Sequence, residues 1–213
     1  QTLIANPNSD SSAIYYFDRR FTKRFNRKET LAKLLKNALK KDQIEVFYQP
    51  IFDMHTMRIS SFESFFRVLL DTSLKYNTQD LITIAEEFDW VDEIDRKVAK
   101  ISLSDLPKLQ KHFKNPSLGI SINRSLANDR VNKCSLEETI ELLVNSNIDL
   151  KTVTLELTES SFFEDNEQQK LWVEKLQALG VKVALDDFGT GYSSFSYLKD
   201  FAVNTVKLDR SFV

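Results

Sequence analysis

Apolar side chains recur along this chain with two different periods. Leu31, Leu34, Leu35, Ala38 and Leu39 fall at i, i+3, i+4, i+7 and i+8, which sets them on one stripe of a helix over residues 29–41. The period then shortens to two. Residues 44–51 (IEVFYQPI) read as a strand, residues 53–57 as a turn and residues 59–68 as a second strand. Helices are predicted over 78–88 and 91–112. From there strands alternate with helices: strand 118–123, helix 136–145, strand 152–157, helix 166–179, strand 181–187, a short helix at 194–199 and strand 204–208. Such alternation implies a mostly parallel sheet, and both an open doubly wound sheet and a (β/α) barrel fit it. The six strands are two short of a closed eight-stranded barrel.

Side chains alternate faces along a strand, so the aliphatic positions give the register. Val153, Leu155 and Leu157 share one face, which leaves Thr154, Glu156 and Thr158 on the other. The same reading opposes Ile120 and Ile122 to Ser121 and Asn123. It opposes Val181, Val183 and Leu185 to Lys182, Ala184 and Asp186, and Val206 and Leu208 to Thr205, Lys207 and Asp209. In the second strand Glu63 and Arg67 share a side. Each strand thus carries one polar group near its C-terminal end, the end at which parallel α/β sheets and barrels bind ligands. Glu63, Asn123, Glu156, Asp186 and Lys207 are expected to converge there, with Asp187 beside them.

Four carboxylates brought together without a cation repel one another. Divalent cations relieve this, and all-oxygen ligation suits Mg²⁺ or Mn²⁺. Two such ions can clamp a phosphodiester and activate a water. Lys207 is placed to act on that water, although a lysine among carboxylates tends to keep its proton. Two of the chain's four glycines, Gly189 and Gly191, lie in the loop after Asp187, which points to positive φ or a close approach of backbone to ligand.

Composition narrows the partners. A formal charge of −2 argues against a general DNA- or RNA-coating protein. With 42% apolar and 28% charged residues the chain is an ordinary globular one, and no apolar run reaches membrane-spanning length. Membrane attachment would come only through segments outside this sequence, and a cytoplasmic setting is expected. The single cysteine, Cys134, cannot form an intrachain disulfide, and two distant histidines give a zinc site little support.

The segments FYQPI (47–51), FESFFR (62–67), SINRS (121–125), LELTES (155–160), LDDFGTGYSSFSYLK (185–199) and VKLDRSF (206–212), taken in order, resemble the EAL domain family of cyclic-di-GMP phosphodiesterases. The resemblance implies a TIM-like (β/α) barrel with an antiparallel first strand, here expected to be truncated after the sixth strand. It implies two Mg²⁺ or Mn²⁺ ions and hydrolysis of cyclic di-GMP to linear pGpG in bacterial second-messenger signalling. Glu63, Asn123, Glu156, Asp186 and Asp187 match metal ligands, with Glu63 the glutamate that names the family. Lys207 matches the lysine at the attacking water, and Glu159 one that steadies the loop after Asp187. Gln49, Arg67 and Asp209 match groups at the substrate, Arg67 being suited to a phosphate oxygen.

Residues 28–213 are therefore expected to be the EAL domain and residues 1–27 a linker or tail, whose YYFDRRFTKRF stretch resembles the connector after a GGDEF domain. An upstream GGDEF or sensor module and a homodimer are the expected partners besides cyclic di-GMP. Several positions depart from the family: Ser64 and Phe65 replace alanine and leucine, Val68 a tryptophan, Arg124 a leucine and Asn204 an aspartate. Phe65 lies on the side of Glu63 and is expected to crowd the pocket. The departures leave a catalytically silent cyclic-di-GMP receptor, or an interaction domain, as the alternative to an active enzyme.

Overall fold

The computed structural model describes residues 19–70, 72–125, 134–158, 166–189 and 203–212. The chain runs α1 (Arg19–Lys40), β1 (Glu45–Asp53), β2 (Arg58–Arg67), α2 (Thr78–Glu87), α3 (Val91–His112), β3 (Gly119–Arg124), α4 (Cys134–Val144), β4 (Val153–Thr158), α5 (Asn166–Ala178), β5 (Lys182–Phe188) and β6 (Thr205–Leu208). The helix expected at 194–199 lies outside the described residues.

The strands form one six-stranded sheet in the order β1-β2-β3-β4-β5-β6. β1 pairs antiparallel with β2, and every later pair is parallel. A doubly wound sheet reverses its strand order at a switch point. Here each strand lies beside its neighbour in sequence, so of the two architectures open at the sequence level the structure takes the barrel type, as a half-barrel. No helix among the described residues is long and apolar enough to cross a membrane.

The helices cover the aliphatic face. Leu31 and Leu35 of α1, Leu103 and Leu106 of α3, and Ile120, Ile122, Val153, Leu155, Val183 and Leu185 of the strands join one core. Each such side chain contributes roughly 1.5–3 kcal/mol by leaving water. The opposite face is thereby left to the polar groups at the strands' C-terminal ends.

α1 begins at Arg19, so part of the segment expected as tail is helical. Its first turns lack an apolar stripe, which is why the sequence pattern starts only at residue 29. Polar ties hold the helix instead. Arg27 donates to the Lys75 carbonyl at 2.7 Å and to Asp80 at 2.8 Å, and Lys28 pairs with Glu87. Asp80 also closes the capping box of α2, accepting from the Asn77 amide while Asn77 accepts from the Asp80 amide.

Ser64 is buried on the helix-facing side of β2, where Ser102 of α3 donates to it at 2.9 Å. Beside them Tyr48 donates to Asp105 at 2.9 Å. This departure from the family pattern is thus absorbed behind the sheet, away from the polar mouth. Ser64→Ala is expected to lose about 1 kcal/mol in urea denaturation. Adding Ser102→Ala should lose less than a second such increment, because the two hydroxyls act as a pair.

Candidate metal centre

The inner face gathers one charged group from each of four strands. Lys207 Nζ on β6 lies 2.6 Å from Glu156 of β4, 3.1 Å from Asp186 of β5 and 3.2 Å from Glu63 of β2. One carboxylate oxygen from each of Glu63, Glu156 and Asp186 falls within 4.8 Å of the other two. On β3, Asn123 stands opposite Glu156 in register and shares its face. The parity read from aliphatic positions explains the convergence: β3, β4 and β5 turn their buried aliphatic side chains toward the helices, which leaves their polar neighbours on the inner face.

Glu156 is only 2% exposed. Burial first pushes its carboxyl up to about 7, the charges of Glu63 and Asp186 push the same way, and the hydrogen bond and charge of Lys207 oppose them. For Lys207, burial works to lower the pKa. The bond to Glu156 and the charges of Glu156, Glu63 and Asp186 outweigh it and hold the ammonium above its ordinary range. Lys207 is therefore a firm cation in this arrangement, the counter-charge that three facing carboxylates require.

A divalent metal fits the same donor set. The ligand atoms are all carboxylate oxygens, they are close enough to share one ion, and positive charge is already stabilised among them.

The other sequence-predicted residues stand at varied distances from this cluster. Asp187 follows Asp186, but its backbone is left-handed (φ 54) and its exposed carboxylate does not join the three-carboxylate group. Partial desolvation, then the charges of Asp186 and Asp209, raise its pKa. Asp209 is turned to the chain after β6, where its carboxylate accepts from the Ser211 amide at 2.8 Å, and the hydrogen bonds of the Ser211 hydroxyl and then of that amide lower its pKa. Gln49 lies opposite Glu63 in the β1–β2 pair. Glu159 and Gly191 lie outside the described residues. Gly189 has φ +97, and a Cβ there would meet the Phe212 ring at 2.5 Å, so both the torsion and the close approach require glycine.

Two local arrangements escaped the sequence reading. Phe65 does share the side of Glu63, but it pairs across the strands with Phe47, and the Arg67 guanidinium lies 5.6 Å and 5.5 Å from the two ring centroids. An aromatic ledge with a cation over it thus borders the carboxylates at the mouth, and the signal for it was the paired phenylalanines at 47 and 65. The second arrangement is at Arg124. Its side chain is 6% exposed and contacts Asp92 at 2.8 Å and Asp95 at 3.2 Å in the opening turns of α3. Only the departure from leucine hinted at it.

Burial pushes the Asp95 carboxyl up to about 6, against the charge of Arg124 and the bonds from Ser125 and Arg124. The unfolded carboxyl releases its proton near pH 4, about two pH units lower. Native protein consequently binds more protons than unfolded protein between these values, and stability falls as pH rises through that window, by up to about 3 kcal/mol from this group. Denaturation midpoints at pH 4, 5 and 6 should show this slope, and Asp95→Asn should flatten it.

The family model described as EAL domain matches residues 32–213. A cyclic di-GMP phosphodiesterase of Pseudomonas aeruginosa, NbdA, is 30% identical over 199 residues, which cover 93% of this chain and 25% of that protein. An uncharacterised protein of Sinorhizobium fredii, y4lL, is 31% identical over 180 residues, covering 84% of this chain and 21% of its own length. Among the curated relatives first matched, this chain spans between 21% and 33% of their length. The solved structure of the PaMucR phosphodiesterase in complex with c-di-GMP superposes with a TM-score of 0.77 at 26% identity, covering 86% of this chain and 73% of that one. The EAL enzyme Bd1971 in its cGMP-bound form gives 0.78 at 25% identity, covering 91% and 54%.

Proposed function

The chain belongs to the EAL domain family, and from that premise we propose that the protein carrying it hydrolyses cyclic di-GMP to linear pGpG with two Mg²⁺ or Mn²⁺ ions. The observation that carries this reading is the convergence of Glu63, Glu156, Asp186 and Lys207 from four strands onto one point. A lone acidic residue at a strand end is ordinary. Three within ligand-sharing distance around a buried-side ammonium form a costly arrangement that a scaffold has no need of.

In this reading Glu63, Asn123, Glu156, Asp186 and Asp187 hold the metal. The bound ions supply Lewis acidity toward the phosphodiester and its attacking water. Lys207 moves or holds a proton at that water through Nζ. Arg67 presents its fork to a phosphate oxygen from above the Phe47 and Phe65 rings, and Gln49 and Asp209 complete the substrate surroundings. Glu159 steadies the loop after Asp187. The domain extends over residues 28–213, residues 1–27 connect it to an upstream GGDEF or sensor module, and two copies pair in a cytoplasmic setting.

The test is turnover by the purified full-length protein. Cyclic di-GMP incubated with it and Mn²⁺ should give linear pGpG on a chromatogram, and a chelator should stop the reaction. Tight binding in calorimetry without product would replace the enzyme by a receptor. Absence of both would leave the site without this substrate.

A further inference from the structure

The two aspartates that open α3 lie outside the carboxylate cluster, yet they reach the strand that borders it. Arg124 donates through Nη1 to Asp92 at 2.8 Å and to Asp95 at 3.2 Å, and the backbone amide of Ser125 donates to Asp95 at 2.8 Å. Arg124 stands on the same face of β3 as Ile120 and Ile122, packed toward α3, where a third aliphatic residue would continue the stripe. Asn123 lies between Ile122 and Arg124 and faces the other way, opposite Glu156.

Strand pairing explains why this junction needs support. The register between β2 and β3 ends at Ser64 and Ile122, one residue before Asn123. From Asn123 onward β3 is paired on one side only, to β4. The ties to Asp92 and Asp95 begin at the next two residues. A buried ion pair gives little net stability over aliphatic packing, because desolvation offsets the attraction. What it adds is direction, since hydrogen bonds to two fixed carboxylates define where the end of the strand lies, and packed leucine does not.

The geometry points to a positioning role: Arg124, Asp92 and Asp95 clamp the C-terminal end of β3 to α3 and thereby set the Asn123 carboxamide relative to Glu156 for metal binding. None of the three contacts the metal. The inference rests on the reading of Asn123 and Glu156 as ligands, and the experiment separates the two.

Mn²⁺ affinity of the full-length protein is measured by titration calorimetry, with thermal melting alongside, for Asp95→Asn and Arg124→Leu in wild-type and Asn123→Ala backgrounds. Each clamp variant is expected to weaken Mn²⁺ binding by roughly 10-fold or more, in the range of outer-shell residues. In the Asn123→Ala background the same substitutions should leave Mn²⁺ affinity where Asn123→Ala alone puts it, whatever their effect on melting temperature. Arg124→Lys should recover part of the affinity. Equal weakening in both backgrounds would reduce the clamp to general support of the fold and overturn the proposal. Unchanged affinity in the clamp variants, or in Asn123→Ala itself, would overturn it as well. Glu156→Gln, measured in parallel, reports on the metal site independently, so that the clamp can fail while the site stands. Should Arg124→Leu fail to fold, Asp95→Asn carries the comparison, since it keeps the shape of the side chain and leaves Arg124 its bond to Asp92.

Discussion

Glu156→Gln is expected to weaken Mn²⁺ binding at least about 100-fold while leaving the metal-free fold no less stable than the wild type. The first half follows from position. Loss of an outer-shell partner already lowers metal affinity by about 10–100-fold, and Glu156 is the innermost of the three carboxylates whose oxygens lie within ligand-sharing distance. The second half follows from electrostatics. Burial and two neighbouring carboxylates penalise the ionised form of Glu156 and push its pKa to about 7. Removing one partner of a buried pair is usually harmful because it strands the other charge. Lys207 is not stranded here, because Asp186 and Glu63 remain at 3.1 Å and 3.2 Å. A neutral amide of the same shape therefore removes a burial penalty and a repulsion that together outweigh the attraction lost, as expected where a site trades stability for function. Calorimetry with Mn²⁺ and thermal melting in chelator measure the two halves. Retained affinity would take Glu156 out of the metal set, and a melting temperature several degrees lower would show that its bond to Lys207 supports the fold.

How much of this was legible in the sequence depends on the range of the interaction. The strand faces were, because a period of two is written into each segment by itself. Val153, Leu155 and Leu157 point one way, so Glu156 must point the other, and the structure places it there. The same argument in β2, β5 and β6 puts Glu63, Asp186 and Lys207 at one mouth. Its limit appears at Asp187, which strict alternation would set on the face opposite Asp186 and whose backbone is left-handed, so a period of two does not say where its carboxylate goes. Pairs of distant residues were not legible at all. Ser64 with Ser102, and Arg124 with Asp92 and Asp95, join segments about thirty or more positions apart, and no periodicity encodes such a partner. The early turns of α1 were missed for a related reason. Their ties run from Arg27 and Lys28 to α2 and the segment before it, so they leave no apolar stripe to read.

Lys207→Ala is the substitution that should separate catalysis from metal binding. Turnover of cyclic di-GMP is expected to fall by about 10²–10⁴-fold, the usual loss when a positioned proton-transfer group is removed. Mn²⁺ affinity, by contrast, should hold or rise. In the metal-free arrangement the Lys207 ammonium is the cation of the cluster, within 3.2 Å of all three carboxylates. Entry of a metal ion has to displace those contacts and place like charges near one another. Without the ammonium, Glu63, Glu156 and Asp186 face each other uncompensated, which destabilises the metal-free state and strengthens the demand for an added cation. The rise in melting temperature on adding Mn²⁺ should accordingly be larger in Lys207→Ala than in wild type, since stabilisation by a ligand grows with its affinity for the native state. Glu156→Gln and Lys207→Ala are thus expected to move metal affinity in opposite directions. A parallel loss of Mn²⁺ binding in Lys207→Ala would mean that the lysine chiefly holds the carboxylates in place, and its part in the proton transfer would have to be given up.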